Sequence, residues 1–277
     1  VSAGPVISFL SDYGLADGFV GVCHGVIARG CPEARVIDLS HGIASHDVRA
    51  GALVLARALA FLPVGVHLAD VTDGVGGIRG PRRAVAITCG DGQRLVGPDN
   101  GLLWPAMQAA GGVVAAVDLA GSPLALAPVS ATFPGRDLLA PVAAGLAGGL
   151  ALERVGHPID ASSVQTLALP ESGLDLDGGG LVAHVLSVDR FGNLELDATP
   201  AQLTALGLQV GDEVTLTVDE HAAPTRVRWG RTFADVGAGE LVLFEDPQRQ
   251  LALAVNRASA AARLGLGVDD TVRVSGP

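Results

Sequence analysis

Apolar runs that end in polar, glycine-bearing turns recur through the first half of this chain. Their alternation with helix-patterned segments constrains the fold more than any other feature. Val6-Ile7-Ser8-Phe9-Leu10 has strand length and stops at Ser11-Asp12-Tyr13-Gly14. Residues 19–29 then carry Phe19, Val22, Val26 and Ile27 at helical spacing, with Asp17 placed to cap them. A second strand-like run covers 35–39, and Ser45-His46-Asp47 introduces a helix over 48–61 that Pro63 stops. Further strand-like runs lie at 66–71, 84–88, 94–96 and 113–118, and 137–152 reads as a buried helix with Asp137 at its start. This order predicts a three-layer α/β domain around a central sheet.

The pattern changes after Leu152. Prolines, serines, aspartates and a glycine triplet mark 158–180 as a linker. Strand-like runs then dominate, at 181–188, 213–218, 225–229, 240–244, 250–254 and 271–274, as in a small β-barrel or sandwich. The expected organisation is an α/β domain over 1–157, a linker over 158–180 and a β domain over 181–277.

Composition narrows the function classes. The chain has 277 residues, enough for one large or two smaller domains, and 49% are hydrophobic, which suits a packed core rather than disorder. A formal net charge of −11 argues against general nucleic-acid binding, which needs a basic footprint. The three cysteines, Cys23, Cys31 and Cys89, lack metal-ligand spacing and suit a reducing, cytoplasmic setting. The start shows no basic and apolar leader pattern, and the apolar run 138–152 is too short and too rich in Gly and Ala to span a bilayer, so no membrane role is expected.

Two stretches concentrate chemistry. Asp70-Val71-Thr72-Asp73-Gly74-Val75-Gly76 puts carboxylates and a hydroxyl on a glycine-rich turn at a strand end, with the basic patch from Arg79 to Arg83 behind it. Ligands of α/β proteins gather at such ends. Asp12 shares that position after the first strand, where a carboxylate either serves the turn or accepts two hydrogen bonds from a ribose diol. Asp189-Arg190-Phe191-Gly192-Asn193 mixes acid, base, aromatic and amide at one strand end, and Phe233 adds an aromatic in a chain that has few. Pro98-Asp99-Asn100-Gly101 reads as a structural turn. His24, His41 and His157 read as cap or solvent residues, His67 and His184 as sheet residues, and Trp104 and Trp229 as packing residues.

Taken together, several motifs resemble the S-adenosylmethionine (SAM) hydroxide adenosyltransferases, or SAM hydrolases, whose relatives include the SAM-dependent fluorinase and chlorinase. They are Ser11-Asp12-Tyr13-Gly14-Leu15-Ala16-Asp17, Asp47-Val48-Arg49, Gly74-Val75-Gly76 with Arg82-Arg83-Ala84-Val85-Ala86, Val96-Gly97-Pro98-Asp99-Asn100-Gly101, Thr132-Phe133 with Gly135-Arg136-Asp137, Asp189 to Asn193, and Ala254-Val255-Asn256. The resemblance runs almost end to end. It implies a C-terminal β-barrel and a homotrimer with SAM bound where subunits meet. It also implies that SAM is the substrate, that no cofactor or metal takes part, and that water attacks C5′ to give adenosine and methionine.

By the same resemblance Asp12 binds the ribose hydroxyls, and Asp17 and Asp189 face the amino-acid end. Phe191 and Phe233 sandwich the adenine, while Asn193 and groups near Val255 and Arg257 read its edge. Phe133 lines the wall near the reacting carbon. His46 stands where relatives carry an aromatic residue against the ribose.

The chain departs from the hydrolase pattern where water is activated. Thr72 replaces the motif's Asp, Asp73 its Pro, and Pro134 the His after Thr-Phe; Pro247 replaces a serine near the methionine carboxylate. Arg82 matches the site arginine with three inserted residues, and Arg79 by simple count. The expected catalytic set is Thr72, Asp73, Arg82 and His46. Asp73 moving into the acid's place, help from His46, or an unpolarised water remain open, as do a halide nucleophile and a binding protein without turnover.

Overall fold

The computed structural model describes residues 4–72, 83–175, 179–218 and 223–277. The chain divides into two compact units, Val1–Leu167 and Ala168–Pro277. The first unit is built on strands β1 (Val6–Ser11), β2 (Arg35–Ser40), β3 (Val66–Asp70), β4 (Ala84–Cys89), β5 (Arg94–Pro98), β6 (Val113–Asp118) and β7 (His157–Ile159). They form one sheet in the order β2-β1-β3-β5-β4-β6-β7. Strands β2, β1, β3 and β5 run parallel, and β4, β6 and β7 join by antiparallel pairing.

Its helices are α1 (Phe19–Gly30), α2 (Val48–Leu59), α3 (Trp104–Ala109) and α4 (Ala140–Ala147). Side chains alternate across a strand. Ile7, Phe9, Val66 and Leu68 therefore face α1 and α4, while Leu10, Ala69, Ile87 and Leu95 pack in the core that holds α2 and α3. Both faces are covered, which explains why every residue of β1 and β3 is buried. The expected three-layer α/β domain is present.

Asp47 caps α2 as expected, its Oδ1 accepting from Ala50 N at 2.9 Å. Two other expected caps do not form. Gly18, not Asp17, is the N-cap of α1, without a side-chain bond, and Asp17 is exposed. Asp137 lies in a π-helical turn, Gly135–Leu139, and its carboxylate turns back to Ser130 N at 2.8 Å and to Arg136. The regular helix that follows stops before Gly148 and Gly149, the latter at φ 96°.

The second unit contains β8 (Gly173–Asp175), β9 (Gly180–Val188), β10 (Leu194–Leu196), β11 (Glu213–Thr217), β12 (Thr225–Trp229), β13 (Leu241–Glu245), β14 (Leu251–Val255) and β15 (Thr271–Ser275), with short helices α5 (Pro200–Ala205) and α6 (Ala260–Leu264). The order is β10-β14-β13-β12-β11-β15-β9-β8, and β10 also pairs with β9. That extra pairing closes seven strands into a barrel around Leu181, Val214, Trp229, Leu243, Leu253 and Val274. Closure removes exposed strand edges and distinguishes a barrel from a sandwich. Residues 158–180 are not bare linker, since 157–159 and 173–175 add edge strands to the two sheets.

Cys23, Cys31 and Cys89 are free and buried. Among the described residues, no helix is long and apolar enough to cross a membrane. Replacing Asp47 by Ala removes the α2 cap and is expected to cost about 1 kcal/mol. Thermal unfolding should show Tm lower by roughly 2–4 °C.

Candidate active site

Strands β1 and β3 are parallel neighbours, with Ser11 opposite Asp70. Their C-terminal ends therefore deliver Asp12 and Tyr13 beside Asp70, Val71 and Thr72. His46 ties the two strand ends together. Its backbone N–H donates to Asp12 Oδ2 at 3.3 Å, and its ring Nδ1 lies 2.9 Å from the Thr72 carbonyl oxygen. A carbonyl only accepts, so Nδ1 carries the proton and Nε2 of the neutral ring keeps a lone pair. This geometry holds His46 at φ 71°, a left-handed conformation uncommon for a residue with a side chain.

The supports beneath this cluster are local. Asn100 Nδ2 donates to the Val71 carbonyl at 3.0 Å, and its Oδ1 accepts from Leu102 N. Buried Asp99 binds the Arg83 guanidinium and accepts from Gln165 N, so the 98–101 turn is structural, as expected. His41 is buried, contrary to its expected solvent role. Its ring meets Phe9 edge-on at 4.6 Å, and Nδ1 lies 2.7 Å from Ser11 Oγ, directly before Asp12.

Among the described residues, one group has ligand atoms close enough to hold a metal: His24, Asp38 and His41. Here the Asp38 carboxylate sits 2.9 Å from His24 Nε2 and 3.0 Å from His41 Nε2. Burial raises its pKa, but the two imidazoles outweigh that and hold it low. The trio is a polar brace between α1, β2 and the β1 end.

A second cluster joins Asp70, the first residue of the turn expected to carry chemistry, to Tyr13, a pairing that was not expected. Asp70 is buried, and its Oδ2 accepts a short hydrogen bond from the Tyr13 hydroxyl. Burial, with a smaller push from the charge of Asp12, takes the Asp70 carboxyl up to about 6 against the lowering hydrogen bond from Tyr13. Burial and Asp70 likewise push the Tyr13 phenol above its ordinary range. Tyr13 packs edge-on against Phe133 at 5.5 Å, and Phe133 meets Phe19 at 5.1 Å and the Arg136 guanidinium at 5.2 Å. The polar pair is roofed by backbone at Gly135, where an added Cβ would lie 2.5 Å from Asp70 Oδ2 and overlap Tyr13 Oη. The available signal was a carboxylate closing a strand-length run, directly after Leu68-Ala69.

Of the expected catalytic residues, Thr72 and His46 meet at a hydrogen bond; Asp73, Arg79 and Arg82 lie outside the described residues. Asp12 joins that pair through His46, and Phe133 packs against Tyr13, the residue after Asp12.

The second unit brings its expected residues into one pocket of about 1230 Å³, lined by Asp189, Phe191, Asn193, Phe233, Val255 and Arg257, with Pro247 and Trp229 also on its wall. The Asp189–Asn193 loop joins β9 to β10. Asp189 Oδ1 accepts from Phe191 N at 2.8 Å and Asn193 N at 2.9 Å, and Oδ2 accepts from Asn193 Nδ2 at 2.8 Å. The carboxylate thus organises its own loop, and the Asn193 amide keeps its oxygen as an acceptor. The loop docks on the start of α6, where Ala261 N donates to the Gly192 carbonyl at 2.9 Å. Phe191 is 62% exposed and Phe233 41%, both unusual for aromatic rings that share a concave wall. Phe233 is braced by Phe244 at 4.8 Å.

The N-terminal domain model for SAM hydroxide adenosyltransferase matches residues 7–156, and the C-terminal domain model matches 183–273. The chain belongs to the SAM hydroxide adenosyltransferase family. It is 47% identical over 271 residues to an (R)-S-adenosyl-L-methionine hydrolase of Salinispora tropica, covering 98% of each chain. A fluorinase of Actinopolyspora mzabensis is more distant, at 28% identity over 98% of this chain and 97% of its own. The crystal structure of an uncharacterized conserved protein from Thermotoga maritima superposes with a TM-score of 0.88 at 32% identity, covering 97% of this chain and 99% of that one. The resemblance stated from the motifs is therefore borne out across both domains of this adenosyltransferase.

Gly192 lies at φ 81°, and an added Cβ would fall 2.6 Å from Ser259 Cβ. Gly192→Ala should therefore shift the 189–193 loop off α6 and cost about 1–3 kcal/mol. Calorimetry with adenosine should show weaker binding than in the unsubstituted protein.

Proposed function

We propose that this adenosyltransferase cleaves SAM at C5′ with water or hydroxide, releasing adenosine and L-methionine. The observation that carries the reading is the single pocket that gathers Phe191, Phe233, Asn193, Val255 and Arg257, a set suited to a flat, edge-polar base. Two exposed rings give stacking surface, and Asn193 offers an amide oxygen to an exocyclic amine. The likeness to the Salinispora hydrolase supports both the reaction and a preference for the (R) sulfonium epimer that the relative's name specifies.

Asp12 takes the ribose diol in this reading, and Asp17 and Asp189 lie toward the amino-acid end. Phe133 borders C5′. The sulfonium is its own leaving group, so the reaction needs no metal or redox cofactor. Catalysis consists of holding water in line with the C5′–S bond and keeping bulk water out. In this reading the Thr72 hydroxyl and His46 Nε2 orient that water, with Arg82 and Asp73 as the remaining members of the set, supported by the bond that brings Thr72 and His46 together. The protein works as a cytoplasmic homotrimer with a partner subunit closing the pocket; three buried free thiols suit a reducing compartment.

Incubation with SAM followed by chromatography should give adenosine and methionine in equal amounts. Intact SAM across a range of pH, or a 5′-halogenated nucleoside when chloride is added, would sink the reading. Phe191→Ala should raise KM about tenfold through lost base stacking, with a smaller change in kcat. Steady-state kinetics of His46→Ala should show the opposite split, kcat falling by roughly 10²-fold with KM little changed.

A further inference from the structure

We propose that Tyr13 and Asp70 are the proton relay of SAM cleavage: the attacking water gives its proton to Tyr13 Oη as Tyr13 passes its own proton to Asp70 Oδ2. The inference rests on the reading of this chain as a SAM hydrolase. It fills the gap left by Thr72 and Pro134, neither of which is a base.

Three observations support it. The Tyr13 hydroxyl spends its one proton on Asp70, so its oxygen lone pairs remain available to a water. Tyr13 also stands between Asp12, the next residue in the chain, and Phe133, 5.5 Å away between ring centres. Those two residues mark the ribose and C5′ in the proposed binding mode. Finally, glycine at 135 leaves the pair a space that any side chain would fill. A buried carboxylate whose partner among the described residues is one phenol is costly to maintain as a packing device alone.

The step balances. The O–C5′ bond forms as the C5′–S bond breaks, and the electron pair goes to the methionine thioether. The water's proton stays on Tyr13 Oη, Tyr13's former proton ends on Asp70 Oδ2, and the reverse transfer through Tyr13 returns one proton to solvent when products depart.

Among the described residues, the groups facing Asp70 are Tyr13 and Asp12 from the end of β1 and Cys23 from α1, and Arg136 and Asp137 of the π-helical turn act on the same Cys23. With its carboxyl at about 6, Asp70 is an ionised acceptor at neutral pH and loses that role as pH falls.

The test is steady-state adenosine formation by the full-length protein and by Tyr13→Phe and Asp70→Asn, with SAM affinity measured by calorimetry. Tyr13→Phe keeps the ring, and Asp70→Asn keeps an acceptor for the phenol but takes no proton. Both should lose kcat by about 10²–10⁴-fold while the SAM Kd moves less than about threefold. The wild-type kcat should fall below a break near pH 6, and His46→Gln should keep that break at a lower rate.

Variants with kcat within about threefold of wild type, or with kcat and affinity lost in parallel, would overturn the relay in favour of a structural pair. Should Asp70→Asn not fold, Tyr13→Phe and the wild-type pH profile decide in the same way. Adenosine from the wild type with unimpaired variants defeats the relay alone; no adenosine from the wild type defeats the reading beneath it as well.

Discussion

The parallel pairing of β1 with β3 places Ser11 opposite Asp70, and the chemistry of the first unit depends on that register. Two strands that end at the same level present their following residues as one polar ledge. Asp12, Tyr13 and Thr72 reach the ledge only because the preceding residues of both strands are buried on both faces. A slip of one residue would send Phe9 and Leu68 to the opposite cores and carry the ledge with them. His46 and Asn100 then lock the strand ends from outside the sheet, through the Thr72 and Val71 carbonyls.

The second unit meets a different constraint. Its pocket depends on loops that leave a closed barrel, and each loop is held by its own carboxylate or amide. Asp189 holds the 189–193 loop, Asp235 Oδ2 accepts from Arg231 N at 2.6 Å, and Asn256 Nδ2 donates to the Val236 carbonyl at 2.8 Å. Such internal satisfaction lets Phe191 and Phe233 stay exposed without the loops collapsing around them. The polar residues that look like binding groups in the sequence therefore work mostly on the protein itself, and the aromatic rings remain for a ligand.

Much of this is legible in the sequence alone. The strands and the Asp47 cap follow from apolar runs and local capping chemistry, and the adenine-side residues were named by motif and converge on one pocket. The misreadings have physical causes. Asp17 and Asp137 look like caps by position, but Gly18 starts α1, and Asp137 is drawn away by Ser130 and Arg136. Burial of His41 depends on Asp38 and Ser11, partners that periodicity does not reveal. Barrel closure rests on β9 pairing with both β10 and β15, a long-range fact without local signature. The Tyr13–Asp70 pair joins residues 57 apart in the chain, so neither residue alone announced the other.

Strand β9 also carries a kinetic consequence. Gly180 pairs with Ser275 and His184 with Thr271, so the seam joins the first long strand of the second unit to its last. Contacts so distant along the chain form late, because loop entropy must be overcome before they reward it. A growing polypeptide on the ribosome therefore cannot seal this barrel until β15 has emerged. Until then β9 offers an unpaired, largely apolar edge, and nascent chains of this protein are most vulnerable to associating with one another through it.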